Sequence, residues 1–125
     1  VDPAIVRGCF CTAPSIKNTW RNFLSEMVGT FVLVFAILGF GNVEGAASVG
    51  VNYLYVNGII ISIGMSLGGL TGYAINPARD LGPRIMYQIL PFKEKADVMW
   101  DYSWIPVVGP IVGGLLAVVL FNVVF

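Results

Sequence analysis

The chain has 125 residues, of which 57% are apolar and only 11% are charged. Seven basic residues balance seven acidic ones and there is no histidine, so nothing in the charge points to nucleic acid or to an acidic partner, and histidine chemistry is excluded. A soluble domain needs charge on its exposed faces, whereas the runs Asn22–Phe40, Tyr53–Leu70 and Trp104–Phe125 hold one acidic or basic residue between them, Glu26. Each run is close to the about 20 residues that cross a bilayer. The composition predicts an all-α membrane protein with three transmembrane helices and one interrupted segment.

Residues 1–21 read as a loop leading into the membrane repeat of 22–125, with Pro3, Gly8 and Pro14 breaking regular structure. Cys9 and Cys11 lie in this lead; a C-x-C pair without histidine or further thiols is a weak metal signal, and no cofactor or metal is assigned. The first helix is expected over about 22–40. Glu26 within it must be paired, protonated or hydrogen-bonded. It is placed as a partner for backbone N–H groups of a broken loop, the alternative being a residue near the water interface. A small-residue connection around Gly45–Gly50 leads to the second helix, about 53–70. Gly64, Gly68 and Gly72 follow at spacings of four, a pattern that lets helices approach closely.

Residues 70–75 form a break. Gly72 relaxes the backbone, and Ala74 and Ile75 are expected to run non-helically, because irregular backbone at membrane depth survives only when buried in protein or lining a wet cavity. Asn76 is a good N-cap and Pro77 suits the first helical position, so a half-helix is predicted over about 77–90. Arg79 lies one turn on from Asn76, and a charged residue at membrane depth marks a functional site by default. Asn76 and Arg79 together offer donors to a neutral, acceptor-rich solute such as a polyol, and Arg79 repels cations. The bland alternative has Asn76 as a cap only and Arg79 paired with Asp80. Pro91 and the charges Lys93, Glu94, Lys95 and Asp97 return the chain to water. Trp100, Tyr102 and Trp104 read as an interfacial aromatic belt. The last helix, about 104–125, carries the close-packing pair Gly109 and Gly113. No nucleophile–base constellation or phosphate loop is present, so no enzyme activity is expected.

The stretch Leu70-Thr71-Gly72-Tyr73-Ala74-Ile75-Asn76-Pro77-Ala78-Arg79-Asp80-Leu81-Gly82-Pro83 resembles the second Asn-Pro-Ala loop of the major intrinsic protein family, the aquaporins and glycerol facilitators. The resemblance covers about residues 10 to 125, the family's last three helices and second half-helix. Ser25-Glu26-Met27 and Gly29-Thr30 resemble its fourth helix, whose glutamate braces the loop. By this resemblance Asn76 and Arg79 are pore residues, Tyr73 and Gly64 stand at the selectivity filter, and Gly72, Ala74 and Ile75 supply pore-loop backbone. Glu26, Pro77, Ala78 and Asp80 support the loop. Asp80 with Arg84, Pro106 with Val107, and Gly64 in place of a histidine resemble the glycerol-conducting branch.

The resemblance implies passive transport of glycerol or other small polyols, and of water, across a bacterial inner (plasma) membrane by a multi-pass protein, homotetrameric as a full channel. The family's channel has two inverted repeats, each with a half-helix. One is present here, so the chain reads as a C-terminal half that needs the missing N-terminal repeat or a second copy. A water-selective or mixed aquaporin, an inactive fragment, and half of an ion-coupled transporter are the alternatives. The last needs a titratable site at mid-membrane, for which only Glu26 and Asp80 are available. The resemblance also implies that residues 1–21 and the Lys93–Lys95 loop face outward and the Glu44 loop inward, against the positive-inside tendency.

Overall fold

The computed structural model describes all residues, Val1–Phe125, and contains helices and turns with no strand. The helices are α1 (Pro3–Gly8), α2 (Thr19–Gly41), α3 (Val51–Ser66), α4 (Pro77–Ile89) and α5 (Ile105–Val124). Two of them, α2 and α5, are long and apolar enough to cross a membrane; α3 is apolar but shorter.

The starts of these helices follow from local chemistry. Asn18 caps α2 by accepting from the Arg21 amide at 3.0 Å, and Asn76 caps α4, with Pro77 at its first position. The lead segment departs from the expected loop. Asp2 accepts from the Ala4 amide at 2.8 Å and Pro3 occupies the first helical turn, so Pro3 starts α1 instead of breaking it, and Gly8 is the last residue of that helix. The second helix also departs from expectation. It ends at Ser66 rather than Leu70, and turns occupy 67–71, because the chain must bend early to reach the Glu26 carboxylate.

The packing fixes the direction of each helix. Phe23 on α2 stacks on Trp104 at 5.9 Å, and Phe35 meets Phe121 edge-on at 5.6 Å, so α2 and α5 run the same way. Gly109 and Gly113 allow this contact. A Cβ at Gly109 would stand 3.0 Å from the Cβ of Glu26, and one at Gly113 would collide with the Met27 backbone. α3 returns beside α2, with Tyr55 against Phe40 at 5.3 Å at its start and Ile63 facing Gly29 further along. α4 begins beside Glu26 and ends near the lead segment, where Tyr87 meets Phe10 at 5.5 Å.

The distribution of polarity is inverted. Arg84, Tyr87, Glu26, Asn22 and Asp80 are among the largest fully buried side chains, while Ile111, Leu115, Val119 and Val123 of α5 are exposed. An apolar exterior around a hydrogen-bonded polar centre suits an apolar surrounding rather than water. Tyr102 is part of this centre and not of an aromatic belt. It is buried with the Arg84 guanidinium 5.8 Å from its ring centroid, whereas Trp100 and Trp104 are exposed.

Candidate functional site

Glu26 stands on α2 with no exposed surface. Its Oε1 accepts from the Ala74 amide at 3.0 Å and its Oε2 from the Ile75 amide at 2.6 Å. Both amides therefore point into the protein. The carbonyl oxygens of Gly72, Tyr73, Ala74 and Ile75 accept no hydrogen bond from the chain. Gly72 has φ +74, and Tyr73 and Ile75 both have φ +40. The left-handed region is costly for a β-branched residue and persists only where neighbours over-determine it, which the Glu26 carboxylate does here. Gly29 leaves the space into which the Ile75 side chain fits, since a Cβ there would lie 2.9 Å from Ile75 Cγ2.

Asn76 then starts α4. Its Oδ1 accepts from the amides of Ala78 at 2.9 Å and Arg79 at 3.2 Å, which commits the oxygen to the cap. Its NH2 group has no partner in the chain and stays available as a donor. Arg79 is exposed, and the single ion pair of the chain lies elsewhere, between Asp80 and Arg84. The alternative in which Arg79 pairs with Asp80 is thereby overturned. Side chains one position apart on a helix do not face each other, whereas those four apart do.

The pair Asp80–Arg84 is fully buried and saturated with partners. Asp80 Oδ1 accepts from Arg84 Nε at 2.9 Å, with Arg84 Nη2 at 2.8 Å, and Oδ2 accepts from the amide and hydroxyl of Thr12 at 2.8 and 2.7 Å. Arg84 also donates to the carbonyls of Thr12 at 2.7 Å, of Met99 at 3.4 Å and of Val98. The planar guanidinium thus joins α4, the lead segment and the turn before α5.

Tyr73, Ala74, Ile75, Asn76 and Arg79 line one open groove of about 220 Å³, closed on its apolar side by Leu33 of α2 and Ile60 of α3. Gly64 and Gly72 are not on its wall. Gly64 seats the Tyr73 ring, since a Cβ there would lie 3.1 Å from Cζ and 3.3 Å from the hydroxyl oxygen, and Gly72 lies against Thr12. Leu33 and Ile60 were not singled out by the sequence, in which each is one apolar residue among many. The ties of Thr12 and Met99 to the site leave no local signal either, although Arg84 was marked by resemblance. Both thiols are free, with Cys9 exposed and Cys11 buried.

A profile of the family described as Major intrinsic protein matches residues 3–121. The chain belongs to the major intrinsic protein family. Within it, the chain is 52% identical over 122 residues to glycerol uptake facilitator protein 3 of Lactiplantibacillus plantarum, covering 98% of this chain and 50% of that one. It is 53% identical over 124 residues to a glycerol uptake facilitator protein of Bacillus subtilis, covering 99% and 44%. A third such protein, from Streptococcus pneumoniae, is 54% identical over 117 residues, covering 94% and 49%. This major intrinsic protein chain spans about half the length of the curated relatives it matches.

Proposed function

We propose that the chain forms half of a passive channel for glycerol and related small neutral solutes, with water following the same path. The observation that carries this reading is the groove in which Asn76 and Arg79 stand as donors beside the free carbonyls of Tyr73, Ala74 and Ile75. A polyol presents hydroxyls that both donate and accept. Along this wall they exchange water for carbonyl acceptors and for the Asn76 and Arg79 donors, while the carbon backbone lies against Tyr73, Leu33 and Ile60. Arg79 disfavours cations. Glu26 and Asp80 are both committed to backbone donors or to Arg84, which argues against an ion-coupled site. The relatives' names, which speak of glycerol uptake, support the same solute class.

In this reading residues 1–21 lead into a repeat over 22–125. Its spans are α2, α3 and α5, and α4 is a re-entrant half-helix supported by Pro77 and Ala78 at its start. The complementary face comes from an N-terminal repeat or from an inverted second copy, and the full channel is a homotetramer in a bacterial plasma membrane. That the relatives are about twice as long supports the first source.

Stopped-flow glycerol uptake into proteoliposomes tests the proposal. One arm holds the chain alone, and the other holds the chain joined to the N-terminal half of the Lactiplantibacillus plantarum relative. Uptake above empty vesicles is expected in the joined form, with a changed rate in Arg79→Val. Uptake by the chain alone would identify the second copy as sufficient. No uptake in either arm from folded, inserted protein would overturn the channel reading.

A further inference from the structure

The segment between α1 and α2 crosses the break in the membrane helix and holds it on both flanks. Ahead of the break, the Ser15 amide donates to the Leu70 carbonyl at 2.9 Å and the Ser15 hydroxyl to the Gly69 carbonyl at 2.8 Å. Behind it, the Thr12 amide and hydroxyl donate to Asp80, and the Thr12 carbonyl accepts from Arg84. Between these points Thr12 Cγ2 lies 3.4 Å from where a Cβ on Gly72 would stand. The residues so enclosed include Tyr73 and Ile75, whose left-handed backbone requires outside restraint. Glu26 restrains them from the α2 side, and Thr12 and Ser15 close the other.

Asp80 follows Arg79 in the first turn of α4. Fixing the Asp80 carboxylate fixes the rotation of that turn, and with it the direction in which Arg79 leaves the helix. We propose that Thr12, which lines no part of the groove, is a positioning residue that sets Arg79 and the pore-loop backbone through its two hydrogen bonds to Asp80. The inference rests on the reading of that groove as the solute path. The hydroxyl is the informative group. Valine keeps the shape of Thr12 and loses the donor, and serine keeps the donor and loses the methyl.

The test is hydrogen–deuterium exchange of the full chain in lipid nanodiscs, comparing wild type, Thr12→Val and Thr12→Ser. The valine variant is expected to exchange roughly tenfold faster over 71–82, as befits a lost hydrogen bond to a charged acceptor, with α2 and α5 unchanged. The serine variant is expected to restore wild-type exchange. Should Thr12→Val not fold, Ser15→Ala removes the hydroxyl bond to Gly69 at the other end of the strap while keeping the amide bond to Leu70, and is expected to speed exchange in the same window, by less. Unchanged exchange, an equal rise in the serine variant, or a rise spread evenly over all helices would overturn the proposal. In the joined channel, the glycerol flux relative to that of a larger polyol is expected to shift in Thr12→Val and to return in Thr12→Ser. A purely structural role would lower both fluxes together. Absence of wild-type flux would count against the channel reading, while the exchange result still decides the role of Thr12.

Discussion

Both oxygens of Glu26 are taken by main-chain donors of the break, so a glutamine there sets one amide NH2 against an amide N–H. Glu26→Gln is expected to lose about 1–3 kcal/mol, the cost of leaving a buried donor unpaired, and to lower the thermal unfolding midpoint in detergent. An unchanged midpoint would mean that the break holds itself. Arg84 poses the same problem with the signs reversed. Lysine keeps the charge but cannot reach Asp80 and the carbonyls of Thr12, Val98 and Met99 at once, so Arg84→Lys is expected to cost about 2–3 kcal/mol in the same assay. The two thiols separate by environment. Burial raises the pKa of Cys11 above its ordinary value of 9.0, outweighing the opposing charge of Arg84, and so removes thiolate at neutral pH. One thiol per folded chain, the exposed Cys9, is therefore expected to react with maleimide at pH 7, and two after denaturation, as counted by mass.

At the scale of elements, the long apolar runs and the Asn76-Pro77 start were legible because a run and a cap are local patterns. The same locality explains what was missed. Pro3 reads as a breaker until Asp2 is recognised as its cap, and α3 ends early because a carboxylate many residues away draws the next segment inward. Met99, with φ +57, turns the chain so that its carbonyl and that of Val98 meet Arg84; methionine carries no turn signal. The candidate site divides in the same way. Tyr73 through Arg79 are contiguous and could be read as a unit, whereas Leu33, Ile60 and Thr12 reach it only through the fold. Helix contact gives this scale its own prediction. Gly109 faces the Glu26 Cβ and the Phe23 carbonyl, so Gly109→Leu overfills the α2–α5 seam. It is expected to destabilise the chain by about 1–3 kcal/mol and to accelerate exchange at Ala74 and Ile75, because Glu26 moves with the seam. Faster exchange confined to α5 would argue against that coupling.

For the whole molecule, the directions of the helices constrain how it sits in a bilayer. α2 and α5 run in parallel, so in the proposed topology the chain between them crosses back once. At 1.5 Å per residue the 23 residues of α2 span about 34 Å and the 20 of α5 about 30 Å, enough for the hydrocarbon core. The 16 residues of α3 give only about 24 Å, and the turns after it supply the rest of the return. In the proposed topology α4, about 20 Å long over 13 residues and starting beside Glu26, begins within the membrane and leaves on the lead-segment side. In that topology Cys9 and Lys93 lie at one face of the membrane and Glu44 at the other. Chains with one exposed cysteine can test it even when insertion into vesicles is mixed: the native Cys9, or Lys93→Cys and Glu44→Cys in a Cys9→Ser background, with Cys11 left buried in each. The fractions reached by an impermeant maleimide at positions 9 and 93 are expected to agree, and the fraction at 44 to be their complement. Equal fractions at 44 and 93 would mean that α3 does not cross. The break would then lie at the surface, where Tyr73 and Ile75 would have no apolar surroundings to justify their strain and Arg79 no membrane depth at which to act.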